Sequence, residues 1–221
     1  MNRIVSVILV GALTMTGAAF ANAPESNRAV TNVQLVSSDG AAEAESSGIV
    51  EMVMGAEDAP ITLIEYASFT CPHCASFQEN VFGELKANYI DTGKVKFIFR
   101  DVYFDRFGLW ASMVARCDGP ERFFGIADLL LSKQDEWSRA GDPVAIADAL
   151  RKTGRLAGIE DAQLQACLRD EDKAKALIKW YQTNAGADDI SSTPTLIVNG
   201  TKHSNMSYED LKKILDAELE G

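Results

Sequence analysis

The stretch ITLIEYASFTCPHCASF, Ile61 to Phe77, constrains this chain more than any other. Its first nine residues are apolar on both faces apart from Glu65, the pattern of a strand covered on both sides. Two cysteines follow, Cys71 and Cys74, with Pro72 and His73 between them. Proline suits the first turn of a helix, where its missing N–H would have no partner anyway, so a helix is predicted to begin at Cys71 or Pro72. Cys74, Phe77, Val81 and Leu85 recur at helical spacing and give that helix its inner face. Gly93 ends it, and KVKFIFRDV, Lys94 to Val102, supplies the next strand. Strand, helix, strand in this order predicts a βαβ unit with a parallel sheet and a right-handed crossover.

The flanks complete an α/β chain. IVEMVMG, Ile49 to Gly55, reads as an edge strand. From 105 to 187 the pattern is helical throughout. Trp110, Met113, Val114 and Cys117 form one stripe, RFFGIADLLL a second helix, and Asp142-Pro143 caps and opens a third. DAQLQACL and KAKALIKWY make two more. Strand character returns in TPTLIVNGTKH, where Asn199-Gly200 signals a hairpin because both turn residues need a positive φ. Ser207 with Asp210 caps a last helix whose buried stripe is Tyr208, Leu211, Leu215 and Leu219. The expected parts are 49–104, a helical insertion over 105–187, and 188–221.

The first 23 residues have a short basic start at Arg3, an uncharged run and small residues at Ala21 and Ala23. That is the plan of a secretory signal peptide, expected to be cut after Ala23, and 24–48 reads as a flexible leader. Loss of Arg3 takes the chain from 21 basic and 32 acidic residues to 20 and 32, a net charge of −12. Acidity without basic runs argues against a nucleic-acid partner. A secreted chain meets oxidising conditions, and all four cysteines (Cys71, Cys74, Cys117, Cys167) survive the cut. Four cysteines allow three pairings.

The chemistry should centre on Cys71. Thiolate is the reactive form of cysteine, and a free thiol ionises near pKa ~8.5. At a helix N-terminus, unpaired N–H groups and the macrodipole favour an anion by ~0.3–1 kcal/mol, up to ~2 when partly buried. His73 can add a donor or a positive charge. Cys74, one turn on and more buried, can close a disulfide with Cys71. Stabilising the Cys71 thiolate stabilises the reduced form, which makes the disulfide an oxidant. The competing reading is half of a zinc site, but the only other ligand candidates are His203 and the widely spaced Cys117 and Cys167. A purely structural bridge over so short a loop would restrain little of the unfolded chain.

FTCPHC after an apolar strand, the helical insertion, and the distal TPTLIVNG together resemble the DsbA-type thiol:disulfide oxidoreductases. The resemblance implies a thioredoxin-like fold with an inserted helical domain, no cofactor beyond the redox-active cysteine pair, a periplasmic location, reduced secreted proteins as clients and a DsbB-like membrane reoxidant. It implies that Thr193-Pro194 is a cis bond beside the active site, with Thr193 offering backbone groups to an extended substrate. Threonine stands where the best-known oxidases carry valine and is familiar in isomerases, so isomerase or reductase activity is the alternative. A non-catalytic binding module is a third. The family places Glu65 as a proton acceptor for Cys74; an ion pair with Lys96 is the other reading, since a carboxyl there must be paired or protonated. Cys117 and Cys167 face the inside of the insertion, and in an oxidising compartment a structural bridge between them is expected, worth roughly 4 kcal/mol by chain entropy, two free buried thiols being the alternative.

Overall fold

The computed structural model describes residues 48–221. The expected signal peptide and leader, Gly48 apart, lie outside the described residues. Five strands form one sheet: β1 (Met52–Met54), β2 (Ile61–Ala67), β3 (Val95–Asp101), β4 (Thr195–Val198) and β5 (Thr201–Ser204), in the order β1-β3-β2-β4-β5. β2 runs parallel to β3 and antiparallel to β4, which makes it the central strand its apolar pattern called for. β1 is shorter than the Ile49–Gly55 run and sits on an edge.

The crossover from β2 to β3 is one helical run, α1. It is α-helical over Pro72–Phe77 and Gly83–Leu85, and π-helical over Gln78–Phe82 and Lys86–Ile90. Six helices then separate β3 from β4: α2 (Arg106–Ala115), α3 (Pro120–Ser132), α4 (Gln134–Ser138), α5 (Pro143–Leu156), α6 (Asp161–Arg169) and α7 (Glu171–Ala187). The sequence pattern does not foreshadow the short α4. After the β4–β5 turn, where Asn199 has φ 45° and Gly200 φ 84°, α8 (Tyr208–Glu220) closes the chain. Asp142 and Ser207 cap as their positions suggest: Asp142 accepts from the N–H groups of Val144 and Ala145, and Ser207 from that of Asp210.

Alternation along β2 sorts its side chains. Ile61, Leu63 and Ala67 face a large core that holds Cys74, Phe77 and Leu85 of α1, Leu211 and Leu215 of α8, and Phe123, Ile126 and Leu130 of α3. Ile64 and Tyr66 face the other way, onto Ala185 and Tyr181 of α7. The inserted helices therefore share the core of the sheet. Two details depart from the sequence pattern. Leu219 is 37% exposed, because α8 runs past the edge of what it covers. Cys117 lies beyond the end of α2, and it and Cys167 are half-buried rather than inside.

Insertion and sheet are tied by a buried ion pair. Arg116, just past α2, places Nη2 2.6 Å from Asp101 Oδ2 at the end of β3, with side chains 2% and 1% exposed. Arg116 Nη1 also donates to the Val50 carbonyl at 2.9 Å, and its guanidinium lies over the Phe123 and Trp180 rings. Losing one partner of such a pair strands a charge in the interior, which costs ~3–5 kcal/mol. Arg116→Met should lower stability by about that amount, seen as a lower urea midpoint with an unchanged slope.

Candidate active site

The site forms where β2 runs into α1. Cys71 is the N-cap residue, with extended backbone (φ −88°, ψ 117°), and Pro72 occupies the first helical turn. The Cys71 N–H donates to the Ser68 carbonyl at 3.1 Å, and the N–H groups of Cys74 and Ala75 donate to the Cys71 carbonyl at 3.1 and 3.2 Å. Cys71 is 8% exposed and Cys74 fully buried; both are free thiols here. The Thr193-Pro194 peptide is cis, and the Thr193 carbonyl oxygen lies 3.5 Å from Cys71 Sγ. The segment that delivers Thr193 is anchored upstream, where Asp188 accepts from Tyr66 Oη at 2.5 Å and from Arg100 Nη1 at 3.1 Å.

These contacts set the acidity of both thiols. The Cys71 thiol is pushed down from 9.0 to about 5. The hydrogen bond from the Cys74 thiol is the main cause, and burial works against it. The Thr193 side chain and the backbone N–H groups of Cys74 and His73 lower it further. Cys74 moves the opposite way, far above the ordinary thiol range, because it donates to Cys71, is buried and lies near Glu65. At neutral pH this dithiol therefore carries one charge, on the more accessible sulfur.

Glu65 is 2% exposed and shares the sheet face of Leu63 and Ala67. Burial, and then the negative charge of Cys71, push its carboxyl up to about 8, so it is protonated at neutral pH. The ion pair with Lys96 does not form. The register sets Lys96 beside Thr62, while Glu65 lies between Phe99 and Leu196. His73 is exposed, and what reaches Cys71 from it is its backbone N–H.

The sequence reading missed the residues that brace this loop. Thr70 Oγ1 donates to Asp105 Oδ2 at 2.9 Å, and Asp105 in turn caps α2 by accepting from the N–H groups of Phe107 and Gly108. Gln134 of α4 reaches the backbone beside Cys71. Asp105 carries a legible cap signal; Gln134 carries none. Cys117 and Cys167 are bonded to each other, Cα–Cα 5.7 Å, joining the end of α2 to α6. Their sulfurs are therefore not free to complete a metal site with Cys71 and Cys74. Among the described residues no group of three or more His, Cys, Asp or Glu could hold a metal ion.

Residues 47–217 match the family model described as Thioredoxin. A putative protein-disulfide oxidoreductase of Rickettsia bellii is 33% identical over 171 residues, covering 77% of this chain. The chain spans 65% of that relative's length. Disulfide bond formation protein D of Bacillus subtilis is 30% identical over 178 residues, 76% of this chain and 77% of that protein. Among solved structures, alpha-DsbA1 of Wolbachia pipientis superposes with a TM-score of 0.69 at 26% identity, over 76% of this chain and 89% of that one. Oxidised BdbD of Bacillus subtilis gives 0.68 at 26% identity, over 77% and 94%. With the sheet order, the helix-capping cysteine and the cis-proline already in place, these matches settle the kinship: the chain belongs to the thioredoxin family and groups within it with the DsbA-type proteins.

Proposed function

We propose that this chain oxidises pairs of thiols in secreted proteins, donating a Cys71–Cys74 disulfide outside the cytoplasm. One observation carries the reading: a thiol brought down to about 5 at a helix N-cap, next to a fully buried partner cysteine. Only the dithiol form holds the stabilised charge, so the disulfide form gains by being reduced. The electrons pass through the cysteines themselves, and no cofactor takes part.

In this mechanism a substrate thiolate attacks Cys71 Sγ of the disulfide. The Cys71–Cys74 bond breaks, a mixed disulfide forms on Cys71, and Cys74 leaves with the electron pair. Cys74 holds a proton strongly, and Glu65, protonated near neutrality, is the adjacent source of one. A second substrate thiol, deprotonated, then attacks the substrate sulfur and Cys71 departs as thiolate. The substrate loses two electrons and the protein gains them. The Thr193 backbone beside Cys71 offers strand-like pairing to the substrate chain. The signal-like N-terminus supports a periplasmic location, and a membrane partner of the DsbB kind would restore the disulfide.

Two measurements test this. Cys71→Ser should abolish oxidation of a reduced client such as ribonuclease, while Cys74→Ala, which cannot form the internal disulfide, should accumulate mixed disulfides when its Cys71 thiolate attacks a client disulfide and displaces one client thiolate, because no Cys74 is left to release the client from Cys71. Unimpaired turnover by Cys74→Ala would refute these roles, and faster reactivation of scrambled than of reduced ribonuclease would assign isomerisation instead. The second concerns pH. Folding lowers the Cys71 pKa, so its stabilisation is full above about 9 and lost as pH falls through about 5. The disulfide form lacks this contribution. The dithiol form should therefore outlast the disulfide form in thermal unfolding at pH 7, by an increment on the order of 3 kcal/mol from Cys71, two pH units at ~1.4 each. That gap should close toward pH 5. Glu65 pulls in the other direction: in the dithiol form its raised pKa makes its contribution full below about 4.5 and lost as pH rises through about 8, and in the disulfide form, without the Cys71 charge, only burial raises it.

A further inference from the structure

The short helix α4 sends one side chain to the redox loop. Gln134 is 5% exposed, and its Nε2 donates to the Phe69 carbonyl at 2.8 Å and to the Cys71 carbonyl at 2.9 Å. Both partners are acceptors, so only the NH2 end of the amide fits there. Phe69 is buried, and among the described residues no other donor reaches its carbonyl. The Cys71 carbonyl already accepts from the N–H groups of Cys74 and Ala75. One amide thus bridges the carbonyls on either side of Thr70, while Asp105 holds the Thr70 hydroxyl.

We propose that Gln134 is a positioning residue for Cys71: by holding the Phe69 and Cys71 carbonyls it fixes the Cys71 backbone so that the sulfur faces its donors, and it offsets the negative ends of two carbonyl dipoles beside the thiolate. This inference rests on the oxidase reading above and deepens it. Gln134 touches neither sulfur, so it acts through the backbone. An oxygen that carries partial negative charge raises the pKa of a nearby acid, and a donor placed on that oxygen reduces the effect. Without Gln134 the Phe69 carbonyl would be buried and unpaired, free to turn toward whatever donor is near, including those that serve Cys71. The titratable groups that act on Cys71 and Cys74 are those two thiols and Glu65; Gln134 itself is uncharged, so its removal leaves every ionisable group in place.

The test compares the wild-type chain with Gln134→Met, which keeps length and deletes both donors, and Gln134→Glu, which puts an acceptor against the same carbonyls. Cys71 is titrated in each by thiolate absorbance, and the oxidised fraction is read in glutathione buffers. The expected result is a Cys71 pKa raised by about one unit in Gln134→Met and further in Gln134→Glu, with the disulfide correspondingly less oxidising. If Gln134→Met fails to fold, Gln134→Glu alone must show the rise. A packing role lowers the melting temperature of both variants and leaves the Cys71 pKa at the wild-type value; that outcome overturns the proposal while the oxidase reading stands. A wild-type Cys71 that titrates like an ordinary peptide thiol overturns both.

Discussion

A negative charge held where water scarcely reaches it is the constraint on which this structure depends. Cys71 is 8% exposed, and burial alone would raise its pKa. The donors win: the thiol ends near 5 because Cys74, Thr193 and two backbone N–H groups converge on one sulfur. They come from two parts of the fold, the first turn of α1 and the Thr193-Pro194 segment. The helix N-terminus exists because Pro72 starts α1 directly after β2. Cys74 is one turn along. Thr193 is brought across by the segment between α7 and β4, which Tyr66 and Arg100 hold at Asp188. Moving any of these elements would leave part of the charge unmatched.

The neighbouring acids follow from that charge. Glu65, Cys74 and Cys71 occupy one poorly solvated cluster, and like charges there exclude one another. Ionising Cys71 holds protons on the other two: its charge helps raise Glu65 to about 8, and its hydrogen bond is the main cause of the elevation of Cys74. Forming the disulfide would remove the Cys71 charge and with it part of the hold on the Glu65 proton. Redox state and proton affinity are linked through this contact, and the direction suits the proposed chemistry, in which reduction of the pair delivers a proton to Cys74.

The features legible in the sequence are the local ones. A both-sided apolar strand, a proline at a helix start and an Asn-Gly turn each restrict the backbone by themselves, and β2, α1 and the β4–β5 hairpin stand where these signals lie. What the sequence hides depends on register and on packing at a distance. Lys96 is a plausible partner for Glu65 until the register sets it beside Thr62. Gln134 lies 63 residues from Cys71, in a five-residue helix too short to show a period. Leu219 keeps the helical stripe past the point where anything covers it. His73 looks like a charge donor in a string of letters, yet its exposed ring turns out to matter less than the N–H it shares with every residue but proline.

That substitution of backbone for side chain has a physical logic. An imidazole on the surface would be screened by solvent and salt. A peptide N–H cannot titrate, and it is held by the helix it belongs to. Its cost is rigidity, since the loop must keep its shape whether or not the sulfurs are bonded. The inserted helices meet that requirement from outside the thioredoxin core, Asp105 gripping Thr70 and Gln134 gripping the flanking carbonyls, with Arg116 and Asp101 locking α2 to the sheet. In this protein the insertion is thus part of the redox site, because the donors on the sulfur are only as well aimed as the backbone that carries them.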